Sequence, residues 1–258
     1  MYNFYVMIKE NTKKQIGILG GMFDPPHYGH IFAARSVKEK FGLDEVWLVP
    51  NFKPAHKTGF SSYENRLELV RLFVECMKSA EAPEFEWLKV SDIETRLKTK
   101  FSWTVDLVDL LKIENPEVDF SLIIGTDELL ALKTWKDIDS LLQEIRIIVI
   151  ARKGYKKPTL EEIGLPEPWP EKLLENYVEA NLLEMSSSVL RERFQKVTLM
   201  YANYFPFFPK PIYDYIVEKK LYGTITAKLP EQGERGEWAA LEDFLIKYAE
   251  QRKNNAVQ

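Results

Sequence analysis

Two of the protein's three histidines, His27 and His30, lie three residues apart inside the short segment GGMFDPPHYGH. The segment follows an apolar stretch, 15–19, that we predict to be a strand. Glycines after a strand let backbone amides approach a ligand closely, and free N–H groups at the start of a following helix attract anions. At a spacing of three, both imidazoles can point to the same side. The segment therefore favours a phosphate site, whose anions would favour both imidazolium forms.

Two other interpretations of the histidine pair stay open at this point. The rings could be partly buried and satisfy backbone groups, or they could bind zinc with His56 as a third ligand. No cysteine or carboxylate stands at the spacing of a metal motif, so we expect no metal ligands from the chain. Neither the dinucleotide pattern GxGxxG nor the loop GxxxxGK[ST] occurs in the sequence.

The elements that must position this segment follow a strand and helix rhythm. Runs rich in Val and Ile predict strands at 15–19, 45–49, 85–90, 119–124 and 146–151. Amphipathic stretches between them predict helices at 29–41, 63–77 and 102–113 and helical segments within 127–144, with Gly42 ending the first. Strands joined through helices are typical of an α/β fold, here a doubly wound and mostly parallel sheet.

The C-terminal half is less regular. Residues 153–170 are rich in Pro, Glu, Gly and Lys and are expected to form a surface excursion. Helical patterns return at 187–194 and 211–222, followed by a linker-like stretch at 229–237 and an amphipathic helix at 238–252. We therefore divide the chain into an N-terminal extension (1–14), a main domain with helical C-terminal region (15–228), and a linker with a C-terminal helix (229–258).

Composition argues against several classes of partner. Lys and Arg total 35 against 39 Asp and Glu, a formal charge of −4, which disfavours bulk binding to nucleic acid or anionic membranes. No apolar run approaches the roughly 20 residues that cross a bilayer, and the first residues do not resemble a secretory signal. The single cysteine, Cys76, cannot form an internal disulfide. We expect a cytoplasmic protein without nucleic-acid or membrane partners.

GGMFDPPHYGH resembles the GG[TS]FDPxHxGH signature of nucleotidyltransferases with the HxGH motif, in particular that of the bacterial nicotinate-nucleotide adenylyltransferases. Five further segments are similar to motifs of that family and stand in the same order: NFKPAHK (51–57), DIETRLKTKFSWTVDLVDLL (92–111), IIGTDELLALKTW (123–135), MSSSVLR (185–191) and IYDYIVEKKLY (212–222). The resemblance covers 15–222. It implies a Rossmann-like nucleotidyltransferase fold and transfer of the adenylyl group of ATP to nicotinate mononucleotide, with release of pyrophosphate.

For the ATP side, the resemblance implies that His27, His30 and Arg191 are the catalytic residues and stabilise charge on the triphosphate. Asp127 would lie near the ribose, although a helix N-cap role explains it equally well. Mg²⁺ is expected as a cofactor held mainly by the ATP phosphates. The expected ATP-binding residues are Gly20, Gly21, Met22, Phe23, Gly125, Asp127, Ser186, Ser187 and Ser188.

For the acceptor side, the resemblance implies that Trp135 stacks on the pyridine ring, while Thr104 and backbone near Trp135 contact its carboxylate or amide. A core role for Trp135 is the alternative. The other expected acceptor-binding residues are His56, Lys57, Lys136 and Arg152. Lys57 and Arg152 are candidate partners of phosphate, and His56 could orient the acceptor or support its loop. A role at the surface is the alternative for the charged side chains.

Three positions depart from the family motifs. Met22 stands where the motif has Thr or Ser, Trp103 where it has Tyr, and Ser188 where it has Thr. The first change removes a hydroxyl that could meet the acceptor phosphate, and the second could reshape the acceptor pocket. Nicotinamide mononucleotide and a phosphopantetheine-like phosphate therefore stay open as acceptors, and a nucleotide-binding regulatory module without turnover stays open as another class of function. The aromatic stretch 203–209 and the tail are candidate contacts of a homo-oligomer, with core packing as the alternative.

Overall fold

The strands of this computed structural model form one parallel sheet. The structure describes residues 13–55, 59–78, 85–152, 154–179, 186–196, 204 and 207–223. Within these residues six strands pair in the order β3-β2-β1-β4-β5-β6. Their bounds are β1 Lys14–Gly21, β2 Glu45–Pro50, β3 Leu88–Val90, β4 Val118–Gly125, β5 Arg146–Ile150 and β6 Tyr177–Val178.

Helices connect the strands and cover both faces of the sheet. They are α1 Tyr28–Phe41, α2 Tyr63–Met77, α3 Thr104–Glu114, α4 Thr126–Ala131, α5 Ile138–Glu144, α6 Leu160–Ile163, α7 Trp169–Glu175, α8 Ser187–Lys196 and α9 Lys210–Glu218, with 3₁₀ turns at Ile93–Arg96, Leu132–Thr134 and Leu221–Gly223. One buried apolar cluster joins α1, α2, α8 and α9 to the sheet, and a second joins α3, α4, α5 and α7 to it. The predicted doubly wound fold is confirmed.

The strand order places a crevice at the centre of the sheet. From β1 the chain moves outward through β2 and β3, then crosses back to β4 on the other side of β1 and moves outward through β5 and β6. The connections that leave β1 and β4 therefore diverge at the carboxyl ends of these neighbouring strands. In open α/β sheets, ligands bind in the crevice beyond such a reversal.

Several predicted boundaries agree closely with the structure. The helix predicted at 63–77 is α2, Tyr63–Met77, and Gly42 ends α1 in the left-handed conformation, with φ 64°. Ser62 caps α2 by accepting a hydrogen bond from the Asn65 amide. Two predicted elements are shorter in the structure: β3 contains only Leu88–Val90, and the last described helix ends at Glu218 before a 3₁₀ turn.

The prediction of a surface excursion at 153–170 is partly wrong. Helix α6 buries the Ile163 side chain completely, and α7 leads into β6, which pairs with β5. The segment packs on the core through a few single apolar side chains, which its Pro, Glu and Lys residues conceal in the sequence. The strand β6 has only two residues, too few to show the alternation by which a strand is predicted.

The structure describes only some of the residues that we expected to contact a second copy of the chain. Tyr204 and Phe208 are fully buried and stack with Phe194, so these two aromatic residues belong to the core. Residues 1–12 of the predicted N-terminal extension, and the predicted linker and C-terminal helix, lie outside the described residues. No helix within the described ranges is long and apolar enough to span a membrane.

Candidate active site

The loop between β1 and α1 carries the two histidines and is itself buried. Residues 22–27, here called the histidine loop, leave β1 through Phe23, whose backbone is left-handed with φ 48°. His27 is the N-cap of α1, and its backbone N–H donates to His30 Nδ1 at 3.1 Å. The two imidazole rings stack with centroids 3.8 Å apart. The structure thus places both rings together at the start of α1, as their spacing predicts.

Burial governs the protonation of the two histidines in the ligand-free protein. Burial lowers the pKa of His30 from 6.5 to about 4, and it lowers the pKa of His27 well below 6.5, with the charges of His30 and Arg152 adding to the effect on His27. The neutral forms of both rings are therefore favoured at pH 7 in the ligand-free protein, whereas the expected imidazolium forms concern a site occupied by phosphate. Because His30 Nδ1 accepts a hydrogen bond, the proton of the neutral ring resides on Nε2, which becomes a donor.

Phe23 was predicted to bind ATP, but its side chain belongs to the core. The ring is 1% exposed and packs edge-on against His30, with centroids 4.9 Å apart. The predicted contact of Phe23 with ATP would therefore be made by its backbone. A Cβ at Gly20 would meet no atom of the described residues within 4 Å, so these residues leave open space at the end of β1.

The start of α8 docks on the histidine loop. The Ser187 hydroxyl donates to the Pro25 carbonyl at 2.9 Å, and Arg191 Nη1 donates to the Asp24 carbonyl at 2.7 Å. Arg191 Nη2 also donates to the Ser188 hydroxyl, and the Ser186 hydroxyl accepts from the Val189 amide as a helix cap. Arg191 and the start of α8 are therefore brought to the histidine loop, although they lie more than 150 residues further along the chain.

Gly125 and Asp127 follow the end of β4, on the other side of the crevice. Gly125, rather than Asp127, is the N-cap of α4, so the N-cap interpretation of Asp127 is wrong. Asp127 Oδ2 forms an ion pair with Arg152 Nη1 at 2.7 Å, and its Oδ1 is buried without a partner among the described residues. A side chain at Gly125 would collide with this carboxylate. The charge of Arg152 also lowers the pKa of both histidines, so Arg152 lies close enough to interact with them electrostatically.

Three of the predicted acceptor residues, Thr104, Trp135 and Lys136, lie on two segments that one ion pair connects. Thr104 is the first residue of α3, and Trp135 follows the 3₁₀ turn Leu132–Thr134. Trp135 is half-buried and packs against the second apolar cluster. Lys136 Nζ contacts both Asp106 oxygens at 3.0 and 3.3 Å, so it ties its segment to the first turn of α3. His56 and Lys57 lie outside the described residues.

A buried arginine that the motif analysis missed joins the loops at the ends of β1 and β2. Arg66 on α2 is 1% exposed and donates to the backbone carbonyls of Ser61, Met22 and Asn51 at 3.2, 3.1 and 2.7 Å. Its place in the apolar stripe of α2 is the signal that could have revealed it, since a buried cation needs partners.

Glu94 was also missed, and it supports the same junction from the 3₁₀ turn Ile93–Arg96. Its carboxylate accepts from the Phe52 amide at 2.7 Å and from the Asn51 side-chain amide at 3.2 Å. Burial raises the pKa of Glu94, while these donors oppose the shift. Arg66 and Glu94 together hold Asn51 by its carbonyl and its side chain, which fixes the start of the loop after β2.

The chain is similar to known proteins over most of its length. The cytidylyltransferase-like family model matches residues 18–220. A Streptococcus mutans protein named "probable nicotinate-nucleotide adenylyltransferase" is 34% identical over 218 residues, 83% of this chain and 91% of its own length. A Bacillus pumilus protein of the same name is 35% identical over 210 residues, 81% of this chain and 98% of its own length.

A solved structure shows the same fold. Plasmodium falciparum nicotinic acid mononucleotide adenylyltransferase complexed with NaAD superposes with a TM-score of 0.66 at 22% identity, covering 82% of this chain and 98% of that one. The family model spans most of the chain, and the relatives align over nearly their whole length. The chain therefore belongs to the cytidylyltransferase-like proteins and, among them, to the nicotinate-nucleotide adenylyltransferase family.

Proposed function

We propose that the protein transfers the adenylyl group of Mg-ATP to nicotinate mononucleotide, forming deamido-NAD and pyrophosphate. The observation that carries this proposal is the convergence of the stacked His27–His30 pair, Arg191 and the Asp127–Arg152 ion pair at the carboxyl ends of β1 and β4. Membership of the family supports the choice of substrates.

The reaction requires alignment and charge stabilisation rather than a nucleophilic side chain. An oxygen of the acceptor phosphate attacks the α-phosphorus of ATP, the bond to the bridging oxygen breaks, and pyrophosphate leaves with the electron pair. His30 Nε2–H and the Arg191 guanidinium would donate to phosphate oxygens as negative charge moves toward the leaving group. A bound triphosphate would raise the pKa of both histidines, which strengthens these hydrogen bonds.

Mg²⁺ enters in this proposal with ATP, as part of the substrate. No cluster of three or more His, Cys, Asp or Glu side chains within the described ranges could hold a metal ion. The phosphates would supply most of the magnesium ligands, as Mg²⁺ usually retains substrate phosphates and water in such sites.

The remaining predicted residues divide between the two substrates. Gly20, Gly21, the backbone of Met22 and Phe23, Gly125, Asp127 and Ser186–Ser188 would line the ATP site. Trp135 would stack on the pyridine ring, and Thr104 would orient its carboxylate. Arg152 and Lys57 would contact phosphate, and His56 would orient the acceptor or support its loop. Lys136 would act through its ion pair with Asp106. The single cysteine is consistent with a reaction in the cytosol.

A pyrophosphate-release assay tests the proposal. Purified protein with Mg-ATP is supplied with nicotinate mononucleotide, nicotinamide mononucleotide or 4′-phosphopantetheine, and the products are identified by mass. We expect nicotinate mononucleotide to give the highest kcat/KM. A higher value for another acceptor would change the substrate assignment. ATP binding without pyrophosphate release from any acceptor would instead identify a regulatory module.

A further inference from the structure

Besides the Ser187–Pro25 bond, the C-terminal part of the described chain contacts the histidine loop through the buried residue Asp24. Its side chain is fully buried, and all three of its oxygens accept hydrogen bonds. Oδ1 accepts from the Tyr222 hydroxyl at 2.7 Å, Oδ2 from the Ser61 amide at 3.2 Å, and the backbone carbonyl from Arg191 at 2.7 Å. Asp24 therefore joins the histidine loop to three distant segments of the chain.

Tyr222 is held in an unusual conformation to make this contact. It lies in the turn Leu221–Gly223 with φ 60° and ψ 23°, a left-handed backbone that is unfavourable for a tyrosine. Phe23, which directly precedes Asp24, is also left-handed. Residues keep such conformations where surrounding contacts compensate, often at functional sites. Burial and the Asp24 charge raise the pKa of Tyr222, so its hydroxyl stays protonated and donates.

The loop between Asp24 and the imidazoles is stiff enough to transmit a displacement. Pro25 and Pro26 fix two φ angles between Asp24 and His27. The His27 backbone N–H then bonds His30 Nδ1, and the two rings stack. A shift of Asp24 therefore moves the backbone donor that orients His30.

We propose that Tyr222 and Asp24 form a positioning pair, whose hydrogen bond holds the His27 and His30 imidazoles in the orientation that the triphosphate requires. Neither residue would touch a reacting atom. The kinetic consequence rests on the proposed adenylyl transfer, whereas the effect on the imidazoles does not depend on it.

The test compares Tyr222→Phe with Tyr215→Phe, each of which removes one phenolic oxygen. Tyr215 lies on α9 and donates to Asn65 on α2 at 3.0 Å, away from the histidine loop, so it is a matched control. Each variant is characterised by kcat, by KM for both substrates, by thermal unfolding and by NMR of ¹³C-labelled histidine, which gives only three side chains to resolve. We expect Tyr222→Phe to lower kcat by about tenfold with KM for ATP within about twofold, because small misplacements of reacting groups cost rate rather than binding.

The NMR result separates positioning from a general loss of stability. We expect the His27 and His30 imidazole signals to move in Tyr222→Phe and to stay in place in Tyr215→Phe. Unchanged signals, or a kcat equal to that of the control variant, would overturn the proposal. If Tyr222→Phe does not fold, Asp24→Asn takes its place with the same expected and overturning results. A parent protein that releases no pyrophosphate would refute the proposed function, while the NMR comparison would still decide the positioning pair.

Discussion

The two sides of the crevice are built differently. On the side proposed to bind ATP, hydrogen bonds to buried groups fix the histidine loop and the start of α8, through Asp24, Arg66 and Arg191. On the side proposed to bind the acceptor, the start of α3 and the segment around Trp135 are joined by the ion pair between Lys136 and Asp106, whose side chains are 39% and 22% exposed. Buried hydrogen bonds to charged groups hold geometry far more firmly than a surface ion pair does.

This difference matches the chemistry proposed for each side. Charge develops on the triphosphate, so its donors must already be oriented when the reaction starts. The acceptor ring needs an aromatic face and a few polar groups, which tolerate small adjustments. We therefore expect substitutions on the ATP side to lower kcat or stability, and substitutions on the acceptor side to raise the acceptor KM.

The largest effect is expected for His30→Ala. The substitution removes the proposed Nε2–H donor at the reacting phosphates, so kcat should fall by about 10²–10³-fold, as for the loss of one oriented donor at a developing charge. The dissociation constant for ATP, measured by calorimetry, should change by less than about threefold. Parent-like turnover would remove His30 from the mechanism and weaken the contrast between the two sides.

A smaller effect, on stability, is expected for Arg66→Lys. One ammonium cannot reach all three backbone carbonyls that the guanidinium bonds, so the free energy of unfolding should fall by about 2–3 kcal/mol. Urea unfolding measures this change. Arg35→Lys serves as the control, because Arg35 pairs with Glu39 at the surface of α1 and its replacement should cost less than about 1 kcal/mol. Equal losses of unfolding free energy in the two variants would show that the hydrogen bonds of Arg66 stabilise the protein no more than a surface ion pair does.

The smallest effect is expected for Trp135→Ala on the acceptor side. Loss of the indole face should raise KM for nicotinate mononucleotide by about tenfold, equivalent to about 1.4 kcal/mol, with kcat within about threefold. Steady-state kinetics measure both constants. Trp169→Ala is the matched control: this residue packs against the same apolar cluster but starts α7, beside Arg146 at the amino end of β5. A KM that does not respond to Trp135→Ala would return this residue to a purely structural role.

Local patterns predict most of the elements that position the site. The apolar rhythm places β1, β2, β4 and β5 within two residues of their observed bounds, and Gly42 marks the end of α1 because glycine adopts the left-handed conformation without a steric cost. The spacing of His27 and His30 predicts their common side, because residues three apart on a helix are neighbours. These features depend on interactions between residues that are close in sequence.

Tertiary structure alone decided how those elements meet. The hydrogen bond between Asp24 and Tyr222 joins residues 198 positions apart, and Arg66 bonds three carbonyls that no side-chain motif identifies. Likewise, the neutral state of the histidines follows from burial, which depends on what the whole fold packs around them. The sequence therefore determined the order of strands and helices and the residue types at the crevice. Long-range packing decided the protonation and the orientation of the side chains there, because both properties depend on groups that only the folded chain brings together.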